Sequence, residues 1–244
     1  MSRLMILIKG ELQRLNKYHV TTVSFIVAIL WFLLLFFIDD LDILKMMLPF
    51  VIMIDATMMS IIFIGAVMFF EKTESTFSTM LVTPVTNKEL ILSKAIANTI
   101  HNLFSSILII LVFFFVKGID VNWFFIVIAL TLSIFFHSLL GFVFSFHSKD
   151  FTSMLVNVMI YTFLFTIPSA LNFFGFIFKG EVWEHILLIA PTQSAIKLIE
   201  VGFGAPIELK TVIGFFLLLL GSVIGFIYYV LPKFKEYAVR QSGV

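Results

Sequence analysis

The chain has 244 residues, 61% of them hydrophobic and 13% charged, with 32 phenylalanines, no cysteine and a net charge of +1. Soluble globular domains carry roughly a quarter charged residues, so this composition excludes a soluble domain and predicts a multi-span membrane protein. Without cysteine there is neither a disulfide framework nor a thiolate metal site, and no nucleic acid partner is expected.

The opening "MSRLMILIKGELQRLNKYHV" has no apolar core directly after its basic residues and no small-residue cleavage site, so it does not read as a signal peptide. Residues 4–17 place Leu4, Leu7, Ile8, Leu12 and Leu15 on one side of a helix and Lys9, Arg14 and Lys17 elsewhere. This pattern predicts an amphipathic helix lying in the membrane interface. A membrane-crossing helix needs about 20 mostly apolar residues. Six such runs are expected, at about 20–38, 46–70, 95–116, 122–146, 151–167 and 211–231. The fifth is expected to end before Pro168. Between the fifth and sixth, "VWEHILLIAPTQSAIKLIE" predicts two short helices that meet at Pro191 and lie against the outer ends of the spans.

Charge counting orients these spans. With the N-terminus inside, the inner segments hold Arg3, Lys9, Arg14, Lys17, Lys72, Lys88, Lys94, Lys149, Lys233, Lys235 and Arg240. The outer segments hold only Lys45, Lys117, Lys179, Lys197 and Lys210. Cytoplasmic loops carry the Lys/Arg excess, so both termini are expected in the cytoplasm of a bacterial cell membrane, which requires an even number of spans.

The largest inner loop is patterned. In "EKTESTFSTMLVTPVTNKELILSK", Phe77 and Leu81 stand four apart with Met80 beside them, behind Glu71, Lys72 and Glu74. This predicts a short helix with an apolar tip and a charged root. Thr83-Pro84 ends it, because proline disfavours the helical region in the residue before it. Thr86 and Glu89 have capping-box spacing and start a new helix at about Asn87. An apolar-tipped knob of this kind suits a groove on a soluble partner; the alternative is an ordinary loop whose Phe77 lies back on the membrane.

This stretch resembles the corresponding motif of ABC-2 type permeases, through Glu71, Glu74, Thr76, Phe77, Leu81, Thr83, Pro84, Glu89 and Lys94, with Ser75 where that family usually has glycine. Through "VTP" and "LSKAI" the chain is similar to the small drug-export, fluoroquinolone-exporter-like permeases of Gram-positive bacteria. The resemblance implies a single all-α integral membrane domain over 1–244. It would have six transmembrane helices, the N-terminal interfacial helix, a cytoplasmic coupling helix between spans 2 and 3, and short extracellular helices before span 6. It further implies that the coupling helix, with Met80 beside Phe77 and Leu81, docks on a separate P-loop ATPase that binds ATP and Mg. A second permease subunit, identical or not, would complete a path moving an amphiphilic drug, lipid or peptide outward. One feature of the residues agrees: no Gly-Lys dipeptide occurs, so this chain cannot build a P-loop.

Within the spans, Asp55 costs at least about 2.5–3.5 kcal/mol to place at mid-bilayer, so it must face protein or water. It is read either as lining a path or as a buried hydrogen bonder. Met58 and Met59 beside it would give an adaptable surface. Asn157, Tyr161, Thr162 and Thr166 form a polar line in the fifth span, and the resemblance puts the second and fifth spans at the path and dimer interface. His101 and His137 show no ligand spacing, so no metal is expected. A proton-coupled secondary transporter using Asp55 and His101 is the competing reading.

Overall fold

The computed structural model describes residues 2–76 and 83–242, with side chains described through Ala238. Among these residues every regular element is a helix. α1 (Arg3–Lys17) and α2 (Val20–Phe36) meet at a 66° bend. α3 (Leu41–Thr73), α4 (Asn87–Lys117), α5 (Trp123–Phe146) and α6 (Phe151–Phe173) follow as long apolar helices. α7 (Glu181–Leu187) and α8 (Pro191–Gly202) are short. α9 comprises Leu209–Ile224, a π turn at Gly225–Val230, and Leu231–Ser242. Among the described residues, five helices are long and apolar enough to cross a membrane, or six when the bent α1–α2 pair counts as one span.

Three predicted spans differ in their ends. The second begins at Leu41 rather than Met46, because the Asp40 side chain caps it by accepting from the Asp42 and Ile43 N–H groups at 2.9 and 3.2 Å. The fifth passes Pro168 and runs to Phe173, and the sixth passes Pro232. Both prolines have the same physical reason. Each stands second in an α-helical stretch that follows a π turn, Thr162–Thr166 or Gly225–Val230. A proline in the first turn of a new helical register removes no hydrogen bond that the helix needs.

α3 is the central helix. Its Leu44, Leu48 and Ile52 pack with Phe113 of α4, Ile126 and Leu130 of α5 and Ile196 of α8. Ile64 and Met68 pack with Ile91 of α4, Phe142 of α5 and Phe234 of α9. Met58 and Ile61 meet Met154, Val158 and Tyr161 of α6, and Phe63 and Val67 meet Leu15 of α1. α8 is buried along most of its length rather than lying over the bundle, and α7 buries nothing. The outward faces of α6 and α9 stay apolar, with Met159, Phe163, Leu164, Tyr228 and Ile224 exposed. In lipid, packing and hydrogen bonds rather than hydrophobic burial hold helices together.

Small residues permit close crossings: Gly65 of α3 faces Met154 of α6, and Gly141 of α5 faces α3. A Cβ on Gly141 of α5 would stand 2.8 Å from Ile64 Cβ and 2.9 Å from the Ile61 carbonyl oxygen of α3. Gly141→Ala is therefore expected to destabilise by about 1–3 kcal/mol through overpacking. A Cβ on Gly10 of α1 meets nothing within 4 Å, so Gly10→Ala should stabilise by about 0.5–1 kcal/mol. Thermal unfolding in one detergent checks both signs.

Candidate functional site

The patterned segment has both of its feet in the described structure. α3 ends at Thr73, and the chain turns through Glu74 and Ser75, whose φ is +54°. Phe77, Met80 and Leu81, the expected docking residues, lie outside the described residues. Thr83 and Pro84 are exposed. α4 then opens on the predicted capping box. The Thr86 N–H donates to Glu89 Oε2 at 2.9 Å, and the Glu89 N–H donates to Thr86 Oγ1 at 3.2 Å.

Glu71, the root of the motif, turns inward and is fully buried. Its Oε1 accepts from both Arg14 of α1 and Lys94 of α4. Glu11 Oε1 of α1 accepts from the same two cations, at 2.9 Å each. The four side chains thus close a ring of alternating sign with no net charge. Lys94 and Glu71 are 1% and 0% exposed, Glu11 7% and Arg14 27%. Glu74 lies outside the ring and accepts from Tyr18 Oη at 2.6 Å and Lys17 Nζ at 3.0 Å. These two donors, Tyr18 first, hold the Glu74 carboxyl below its ordinary value. The contact therefore stays ionised through neutral and mildly acid pH, and is lost only as pH falls through that depressed value. Thr76 Oγ1 donates to the Glu71 carbonyl at 3.1 Å, and Lys72 Nζ donates to the Lys149 carbonyl at 2.9 Å.

From the ring a buried polar line runs along α4 at four-residue spacing: Lys94, Asn98, Asn102 and Ser106. Asn98 Nδ2 donates to the Ser60 carbonyl of α3 at 3.1 Å and to Ser138 Oγ of α5 at 2.8 Å. Asn102 Nδ2 donates to Asn98 Oδ1 at 3.0 Å. Ser106 Oγ donates to Asp55 Oδ2 at 2.9 Å. Asp55 opens a π turn, Asp55–Met59, in α3. At both π turns a threonine hydroxyl bonds a carbonyl of the preceding turn. Thr57 Oγ1 donates to the Met53 carbonyl at 2.7 Å, and Thr162 Oγ1 in the α6 π turn donates to the Val158 carbonyl at 2.9 Å.

The expected path residues divide between faces. Met58, Tyr161 and Thr162 come together where the π turns of α3 and α6 meet, with Thr162 Oγ1 3.5 Å from Met58 Sδ. Asp55 turns to α4. Met59 turns to the side packed by Leu12 and Tyr18. Asn157 donates to Ser148 Oγ at 3.0 Å and, with Tyr161 and His147, lines an open groove of about 360 Å³ between α5 and α6. His137 Nδ1 lies 2.7 Å from the Ser133 carbonyl, which can only accept, so Nδ1 carries the proton. Nε2 of the neutral ring then accepts from Tyr161 Oη at 2.9 Å. His101 packs edge-on to Phe63 instead, and no hydrogen bond joins it to Asp55 among the described residues.

Sequence reasoning missed Glu11, Arg14 and the α4 line. Their signals were present: Glu11 falls on the same helical face as Leu4, Leu7, Ile8 and Leu15, and Asn98, Asn102 and Ser106 recur every four residues in an apolar run. A charge on an apolar face needs a partner.

These features define a multi-pass helical membrane protein with a buried ion ring at one end and a polar line along an inner seam. The family described as ABC-2 type transporter matches residues 2–203, and the chain belongs to that family. No curated protein matches it.

Removing one member of a buried ion cluster leaves the rest uncompensated. Lys94→Met should therefore destabilise by about 3–5 kcal/mol, and adding Glu71→Gln to that chain should recover part of the loss. Unfolding midpoints in a fixed detergent give both values.

Proposed function

We propose that the chain is the transmembrane permease subunit of an ATP-driven exporter, coupled to a separate ATP-binding cassette subunit and moving an amphiphilic cargo outward. The observation that carries this reading is the anchoring of both feet of the 77–82 stretch. Glu71 and Glu74 on one side, and Pro84, Thr86 and Lys94 on the other, are held by side-chain contacts that an unstructured surface loop would not need. Membership of the ABC-2 family supports the same assignment. In this reading the end bearing the ring is cytoplasmic. Phe77, Met80 and Leu81 dock on the ATPase, which holds ATP and Mg, and both chain termini lie inside.

The mechanism is transmission rather than chemistry. Closure of two ATPase subunits on ATP displaces the docked segment. That displacement enters α3 at Glu71 and α4 at Lys94. It reaches the level where the α3 and α6 π turns meet at Met58 and Thr162, elements whose hydrogen-bond register is already irregular. A second permease subunit, identical or related, supplies the other half of the path. The apolar and hydroxyl character of Met58, Tyr161 and Thr162 fits an amphiphile better than an ion. No observation favours proton coupling, since Asp55 and His101 engage different partners.

The test is a tagged purification in mild detergent from the native host. A P-loop ATPase is expected to co-purify, and to be lost when Phe77 and Leu81 are both replaced by Asp. The same eluate shows one permease species or two. A chain that purifies without any ATPase, under conditions that keep other membrane complexes whole, defeats the proposal. Orientation is checked separately in this cysteine-free chain. A single Cys at Lys179 should react with an impermeant maleimide in intact cells, and one at Lys88 only after the membrane is opened.

A further inference from the structure

α8 is pressed against its neighbours at two points. A Cβ on Gly202, its last residue, would stand 2.7 Å from Ile126 Cδ1 and 3.1 Å from Ile126 Cα of α5, and the Gly202 carbonyl accepts the Asn122 N–H at 2.8 Å. A Cβ on Gly214 of α9 would stand 3.3 Å from Ser194 Cα of α8. Beside these points the three helices part and leave a cavity of about 220 Å³. It lies away from the ion ring, because Ile126 and Leu198 pack with Leu44 and Leu48 at the opposite end of α3 from Glu71.

The floor of the cavity is Ala129, Leu198 and Val201, all buried, and its rim is Ile128, Ile207 and Val212, all exposed. It therefore opens on the outward faces of α5 and α9. Thr211, the one lining residue with a polar side chain, accepts the Glu208 N–H at 3.4 Å. An apolar void normally closes, since lining atoms without a partner lose their dispersion contacts. Here α8 is already in close contact with the backbones of α5 and α9, so it cannot move in to close the gap. Water gains nothing there either: apolar cavities of roughly 150 Å³ stay dry and take up apolar molecules. The apolar group that a bilayer supplies at the highest local concentration is the acyl chain.

We propose that this cavity binds one acyl chain of a bilayer phospholipid, which splints α8 to α5 and α9. The chain, not the head group, is what the site selects. Lys197 and Lys210 adjoin Leu198 and Thr211 in sequence, but carboxylates already hold both. Lys197 pairs with Glu200 at 3.1 Å, and Lys210 pairs with Glu184 and, at 3.1 Å, with Glu208. The site is formed without α3 or α6, so it is separate from the level of Met58 and Thr162 assigned to the path. It also stands whether or not residues 77–82 dock an ATPase.

The test uses the full chain in vesicles of phosphatidylethanolamine and phosphatidylglycerol, doped with a phosphatidylglycerol that carries a diazirine near the end of one chain. After illumination, peptide mapping is expected to find adducts on the buried floor residues Ala129, Leu198 and Val201. Their yield should be several-fold above that on Phe25, Ile26 and Ile29, which α2 exposes to lipid. Ile128→Trp with Val212→Trp, both on the exposed rim, should close the mouth and remove the floor adducts while α2 labels as before. Ala129→Leu fills the floor and should remove them too. In a steroid-based detergent without flexible chains, added phosphatidylglycerol should raise the unfolding midpoint of the wild type more than that of Ala129→Leu. Floor labelling no greater than on α2 overturns the proposal, a result that needs no variant to fold. Floor adducts that survive both variants overturn it as well, as does an equal rise in midpoint for wild type and Ala129→Leu. Floor labelling by a diazirine-bearing free fatty acid, but not by the phospholipid, also defeats it.

Discussion

Two charges of opposite sign, Glu71 and Lys94, are buried at one end of an apolar bundle, and much of the local architecture follows from keeping them satisfied. A lone pair would leave each ion short of partners in a medium with little water. Glu11 and Arg14 supply the missing contacts, which requires α1 to lie across the ends of α3 and α4 rather than to drift along the interface. The amphipathic pattern of α1 is thus only part of its role. Its apolar side is interrupted by a carboxylate because that side faces an ammonium group as well as methyl groups.

The same economy of polar groups governs the interior. α3 takes part in each of the main apolar clusters, so any movement of it is felt by α1, α4, α5, α6 and α8 together. Its regular hydrogen bonding breaks where Asp55 meets Ser106, and α6 breaks beside it at Thr162. A π turn can be absorbed into the neighbouring helix by shifting hydrogen-bond partners, which costs less than unfolding a turn in lipid. The hydroxyls of Thr57 and Thr162 also bond carbonyls at these points. The two π turns thus meet on the α3–α6 seam, where Met154 also packs closely over Gly65.

Much of this was legible in residue order. The capping box at Thr86 and Glu89, the break before Pro191 and the helical start over residues 4–17 each rest on local chemistry, and each stands where the pattern places it. One proline misled. Pro168 reads as a stop, because nothing local announces that a π turn precedes it and makes it tolerable. Buried partners were also out of reach: Glu11 and Lys94 are 83 positions apart, and no periodicity connects them. Only the oddity of a charge on an apolar face hints that such a partner exists. The inward turn of Glu71 is a further case, since its neighbours Lys72 and Glu74 do face outward.

The closed ring also has a consequence for biogenesis. Its members become available in the order the ribosome makes them, with Glu11 and Arg14 first, Glu71 much later and Lys94 last. Until α4 has left the insertion machinery, Glu71 has no lysine and the carboxylate of Glu11 has only Arg14. α1 therefore cannot complete its buried contacts until Lys94, 83 positions after Glu11, has been made. Neutrality is reached only with Lys94, so a chain truncated before it would hold two carboxylates against a single cation at this site.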